Sequence, residues 1–188
     1  ARGRAARAAL VGIPILLVAL SSLRVAPHQL AYFNELVGGP DNGPRYLSDS
    51  NIDWGQDLFG VKAYMDRQGI PMIYLAYFGN TPPQALGIRY QYAPGFGALE
   101  PPSLDSLPPG TPREILAISV CRLQGVLSAN RDLYDWLKTR TPLAKIGYSI
   151  YLYDLTGDPE AHLSLARTYL RVGPERLAIP EQRRVLAQ

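Results

Sequence analysis

The feature that most limits what this chain can fold into is a stretch without charge. "AALVGIPILLVALSSL" lies between Arg7 and Arg24. As a helix it would rise about 24 Å, slightly less than the roughly 30 Å of hydrocarbon in a bilayer. Arg7 and Arg24 can carry their charges outward, and the apolar "VAP" beyond Arg24 closes the gap. Pro14 is tolerated in a membrane helix, although it favours a kink. Three readings fit such a segment: a transmembrane helix, a signal-type segment or a buried core helix. A cleaved signal needs small residues at its cleavage site, and "SSLRVAP" puts an arginine there, so a transmembrane helix is expected. Arg2, Arg4 and Arg7 precede the span and only Arg24 follows closely, which places the N-terminus in the cytoplasm and the rest outside.

Apolar residues make up 47% of the 188 and charged ones 19%, so neither a disordered tail nor a wholly embedded protein is expected. The net charge of +3 comes partly from "ARGRAAR" and "EQRR" at the two ends, and no nucleic-acid partner is expected. A single cysteine, Cys121, rules out an internal disulfide and a cysteine-rich zinc site. It stands in "EILAISVC", which reads as a buried strand. The chain opens on Ala1, which suggests a piece of a longer protein or a processed one.

Beyond the span, residues 27–44 read as an interfacial helix and linker. Pro27 suits a first helical turn, Leu30, Phe33, Leu36 and Val37 recur at helical spacing, and Gly38 and Gly39 stop the pattern. Tyr32 and Phe33 lie where aromatic side chains favour the headgroup zone, so the lipid bilayer is the expected partner of this segment; a plain linker helix fits as well.

Residues 45–156 read as an α/β domain. "RYLSDS" is predicted as a short strand, and "DLFGVKAYMDRQG" as a helix with Leu58, Val61, Tyr64 and Met65 on one face and Gly69 as its stop. "MIYLAYFGN" and "REILAISVCRL" are apolar runs expected of strands buried on both faces. The Pro- and Gly-rich stretch between them promises at most one helical turn, in "PPQALG". "NRDLYDWLKTR" is predicted as a helix with Leu133, Trp136 and Leu137 inward, and "LAKIGYSIYLYDL" as one long alternating strand at an edge or with one partly wet face. Strands separated by helices favour a layered, mostly parallel α/β sheet. No G-x-G-x-x-G follows a strand, and no cofactor is expected. Residues 157–188 form a helical tail capped by Asp158. Ala166, Tyr169, Gly173 and Ala178 resemble a tetratricopeptide unit, although Pro180 would interrupt the second helix. An ordinary helical tail and the first of several repeats both remain open.

The polar stretch "SDSNIDWGQDL", Ser48 to Leu58, is the candidate site. Asp49, Asn51 and Asp53 alternate like the start of a calcium loop. The glycine arrives at position seven rather than six, and position twelve is Gly60, so that type of site fails. His28 and His162 are distant in sequence, and no metal site or histidine base is expected. Paired carboxylates for glycoside hydrolysis remain conceivable. A structural reading accounts for much of the stretch: Asp53 caps the helix with Gln56 as its reciprocal partner, and Asp49 and Asn51 satisfy a turn. A ligand-binding reading takes Asp49, Asn51, Trp54 and Asp57, at the carboxyl end of a strand where open α/β sheets place ligands.

"HQLAYFNELVGGPDNGPRYLSDSNIDWGQDL", with "YLAYFG" and "IGYSIYLYDL", resembles the C-terminal region of bacterial membrane glycosyltransferases of family 39, relatives of dolichyl-phosphate-mannose–protein mannosyltransferases. The resemblance covers roughly residues 27–155. It implies an inner-membrane protein that takes a sugar from a polyprenyl-phosphate donor and passes it to a glycan or protein acceptor at the outer face. The catalytic acid of such enzymes lies in an early outer loop that this sequence does not contain, so no residue here is assigned a catalytic role. The rival expectations are a membrane-anchored module that binds glycan or protein, and a domain that only buttresses the membrane core.

Overall fold

The computed structural model describes residues 2–48, 51–95, 105–126 and 128–186. It opens with α1, Arg2–Val25, which runs through Pro14 without interruption. Residues Arg7–Val25 have a mean hydropathy of 2.1, and as a 19-residue helix they rise about 28 Å. The core-helix reading fails here, because Leu10, Ile15 and Leu17 are all more than half exposed. Among the described residues of α1, burial is confined to the last turns, at Ser21 and Val25.

The expected interfacial helix is instead two 3-10 turns, Gln29–Ala31 and Glu35–Val37, with extended backbone at Asn34 between them. The Asn34 side chain accepts the Leu36 N–H, a local bond that competes with helix continuation. Gly38 and Gly39 end the pattern as expected, both with positive φ. The described part of "RYLSDS", residues 45–48, is not a strand. Gly43–Arg45 form another 3-10 turn, and Tyr46 and Leu47 are exposed rather than paired.

The domain is a five-stranded mixed sheet in the order β2-β1-β3-β5-β4. Its strands are β1 (Ile73–Ala76), β2 (Tyr90–Tyr92), β3 (Ile115–Ser119), β4 (Ala144–Ile146) and β5 (Ile150–Asp154). The parallel expectation holds for β2-β1-β3, whereas β5 runs antiparallel to both β3 and β4. The antiparallel half exists because "LAKIGYSIYLYDL" folds back on itself. Gly147 and Tyr148 both take positive φ, and the Ser149 N–H closes the turn on the Ile146 carbonyl. What reads as one long strand is therefore a hairpin.

Strand alternation divides the core into two layers. Ile73, Leu75, Ile115, Ala117, Ile150 and Leu152 face α2, Leu58–Gln68, which inserts Leu58, Val61 and Met65 and ends on Gly69 in the left-handed region. Tyr74, Leu116, Ile118 and Tyr153 face the other way, toward Leu133, Tyr134 and Leu137 and the hairpin of α5 (Pro159–Val172) and α6 (Ala178–Leu186). The helix expected over "NRDLYDWLKTR" shrinks to one turn, α4 at Asp135–Lys138, with Tyr134 fully inside and Trp136 only half-buried. Cys121 is buried, but on the short helix α3, Val120–Leu123, rather than in β3.

Asp158 caps α5 by accepting the Ala161 N–H. Pro180 does not break α6, because it falls in the first turn, where its missing N–H costs no internal bond. Ala166, Tyr169 and Ala178 are buried against the sheet, so the tail's apolar face is already covered by this domain.

Candidate functional site

The polar stretch does not assemble one site; its residues go to separate places. Asp49 lies outside the described residues. Asn51 is exposed and lines a shallow groove with Leu30, Phe33, Asn34 and Leu47 of the segment that follows α1. Trp54 stands at the rim of a larger cleft, 59% exposed. Asp57 turns inward and is buried.

The capping expectation also needs correction. The N-cap of α2 is Asp57, and its side chain makes no capping bond. Asp53 instead closes a local turn: its Oδ1 accepts the Gly55 N–H at 2.9 Å. Gln56 does not reciprocate to Asp53. Its Oε1 accepts the Trp54 N–H, while its Nε2 donates to the Ile52 carbonyl and to Asp57. The helix begins later than a capping box at Asp53 and Gln56 requires, so the same residue types serve the turn before it.

Asp57 is held from three elements. Ser149 Oγ donates to its Oδ2 at 2.6 Å, Gln56 Nε2 reaches the same oxygen, and His28 Nδ1 lies 3.1 Å from Oδ1. Gly147 is required beside it, since a Cβ there would overlap the carboxylate and φ is +55°. Burial raises the Asp57 pKa against the lowering effects of Ser149 and His28. His28, distant in sequence, is thus the histidine nearest the acidic stretch. The set lacks the serine–imidazole contact of a Ser–His–Asp relay: Ser149 donates to the aspartate, not to the imidazole.

Asp53 is fully buried, and burial pushes its pKa up to about 6 despite bonds from Gly55 and the influence of Ser119. Its Oδ2 makes no hydrogen bond of good geometry among the described residues, although the Ser119 hydroxyl and the Cys121 N–H are near enough to favour its charge. Neither Asp53 nor Asp57 is among the described residues that line the cleft.

The cleft has a volume of about 520 Å³ and lies at the carboxyl ends of the parallel strands. β1 leads away to β2 on one side and β3 leads toward β5 on the other, the arrangement that opens a crevice in α/β sheets. Trp54, Tyr77, Phe78, Tyr90 and Tyr92 supply its aromatic walls, and Asn80, Thr81 and Gln84 supply amide and hydroxyl groups. Arg122 reaches in from below. Its Nε donates to the Tyr77 carbonyl, its guanidinium covers the Phe78 ring, and burial lowers its pKa to about 10. The rim is fixed by backbone contact. Gly55 and Gly79 meet so closely that a side chain on either would collide with the other's Cα, and Tyr77 Oη donates to the Gly55 carbonyl. Phe78 N–H donates to Ser119 Oγ, tying the end of β1 to the end of β3.

Sequence reasoning found Trp54 and missed the rest of the wall. Tyr90 and Tyr92 flank Gln91 in a period-two pattern that marks β2, and that pattern was the available signal. No group of three or more histidine, cysteine, aspartate or glutamate side chains suited to a metal occurs among the described residues.

No family model matches the chain, and neither the curated proteins nor the solved structures contain a match.

Proposed function

We propose that this chain is a membrane-anchored domain that binds a saccharide outside the cytoplasm, serving beside the membrane core of a polyprenyl-phosphate-dependent glycosyltransferase. The observation that carries the reading is the cleft: aromatic walls for the apolar face of a sugar ring, neutral amides and hydroxyls for its edge, and no carboxylate among its described lining residues. Such a lining favours binding over acid–base chemistry, so the domain holds a donor or acceptor sugar while bond making occurs elsewhere. The resemblance noted above supplies the enzymatic context and rests on the quoted residues.

The binding claim is tested by titrating the full chain in detergent micelles with hexose disaccharides and following tryptophan fluorescence and saturation-transfer NMR. Binding that weakens by roughly 2- to 10-fold in Trp54→Ala is expected; no saccharide contact up to millimolar concentration would sink the claim. The topology is tested separately. A cysteine replacing exposed Leu143 should react with an impermeant maleimide added outside intact cells, while buried Cys121 stays silent. Labelling only after lysis would place the domain in the cytoplasm.

A further inference from the structure

The segment after α1 does not simply lead away from the helix. Glu35 returns to it and accepts a hydrogen bond from Ser21 Oγ. Ser21 lies four residues before the end of α1, so this contact sits about 6 Å below the last helical residue, within the apolar stretch. Ser21, Arg24 and Val25 share one groove with Phe33, Glu35 and Gly38, so the loop runs alongside the last turns of the helix. Arg24 also supports the Glu35 carboxylate electrostatically.

Leu36 is the next residue, and it is 97% exposed. Its neighbours explain why it cannot turn inward. The Asn34 side chain holds the Leu36 N–H, and Gly38 and Gly39 reverse the chain with positive φ. The two aromatic residues expected in the headgroup zone, Tyr32 and Phe33, are both half-buried, and Phe33 packs on Gly43, where any side chain would collide with its ring. An aliphatic side chain offered to solvent at the tip of a tight turn, one residue from the carboxylate that bonds Ser21 of the apolar helix, is suited to lipid.

We infer that the turn around Leu36 dips into the outer leaflet beside α1, with Leu36 at the headgroup–acyl boundary and the Ser21–Glu35 bond holding it at that depth. The inference rests on the proposed membrane anchoring. It adds a second membrane contact next to the helix, and two contacts fix the tilt of the domain where a single helix would leave it free to swing. The cleft would then face the membrane plane at a set angle.

The test uses the full chain in nanodiscs, with single cysteines carrying a bimane label at position 17, 36 or 143, and lipids brominated along the acyl chain. Leu17→Cys reports the helix, Leu36→Cys the turn and Leu143→Cys the domain surface; all three side chains are exposed, so substitution leaves packing intact. Quenching at 17 and 36, strongest at 36 for lipids brominated near the headgroup, with none at 143, is the expected result. Quenching at 17 without quenching at 36 refutes the dip and leaves the anchoring intact. No quenching at either position refutes both.

Discussion

Two buried polar clusters lie on this sheet, one beneath the start of α2 and one between the sheet and the α5–α6 hairpin, and they are built on opposite terms. In the second, His162 stands between Glu181, 2.8 Å from Nδ1, and Glu114, 2.9 Å from Nε2. Arg184 bonds both carboxylates, and Tyr74 and Gln91 donate to Glu181. Two cations match two anions, and burial is compensated at every oxygen. In the first, only Asp57 has the partly exposed His28 imidazole beside it, Asp53 is held by the Gly55 N–H, and burial drives both carboxyl groups toward protonation. The balanced cluster locks the helical hairpin to the sheet. The unbalanced one sits directly under the rim of the cleft. Buried charge that is fully paired serves the fold, whereas the aspartates beneath the rim of the cleft carry a burial cost that their partners do not fully offset.

The largest effect should come from breaking the balanced cluster. Glu181→Ala leaves His162 and Arg184 with one carboxylate between them, strips the Tyr74 hydroxyl of its acceptor and leaves Gln91 Nε2 only Tyr169. A loss of about 3–5 kcal/mol is expected from unpairing a buried ion network, read by urea unfolding of the full chain in micelles. A cost no greater than that of an exposed substitution would erase the distinction between the clusters.

The same contrast has a pH signature. Burial alone would lower the His162 pKa, but its bonds to Glu114 and Glu181 raise it to about 9, above the unfolded 6.5. Its contribution is therefore complete below pH 6.5 and disappears as pH rises through 9. Asp53 is also raised, from 3.8 to about 6, so its protonated form favours the fold and that gain is lost between about pH 4 and 6. Asp53→Asn keeps an acceptor for Gly55 and removes the buried charge. It should raise stability at pH 7 by up to about 3 kcal/mol, because each tenfold change in acidity between the folded and unfolded chain is worth about 1.4 kcal/mol. The gain should vanish below pH 4. A destabilised Asp53→Asn at pH 7 would mean that the carboxylate is paired after all.

These clusters also mark how far the sequence can be read. β1 and β3 were legible as continuous apolar runs, and α2 and α5 as periodic stretches, the first ended by Gly69 and the second opened by Asp158. β2 was not, because Gln91 interrupts a run of only three residues, and it does so for a reason: it points to Glu181 and Tyr169 while its tyrosine neighbours face the other layer. The hairpin was hidden because Tyr148, a bulky residue at positive φ, continues the alternation that a single strand would show. Glu114, His162 and Glu181 are separated by 48 and 19 positions, and nothing local in the sequence links them. His28 is likewise brought to Asp57 by the return of the chain after α1, which spacing cannot reveal.

The smallest effect on stability should belong to Trp54→Ala, and that smallness is what sharpens the comparison. The indole is 59% exposed and belongs to neither core layer, and the Trp54 N–H bond to Gln56 uses backbone that the variant keeps. A surface change of this kind stays within about 0.5 kcal/mol. If the cleft holds a sugar ring against the indole, the lost contact is worth about 0.5–1.5 kcal/mol, which weakens binding by roughly 2- to 10-fold. Tyr77→Phe makes a matched control: it keeps an aromatic wall but loses the bond to the Gly55 carbonyl that fixes the rim. Its affinity should fall less than that of Trp54→Ala, while hydrogen exchange at Gly55 should quicken. The decisive pairing is stability against affinity across Trp54→Ala and Glu181→Ala. The first should bind weakly at normal stability, and the second should bind in proportion to the protein that remains folded. If the two variants moved together on both measures, the cleft would have no role separate from the fold.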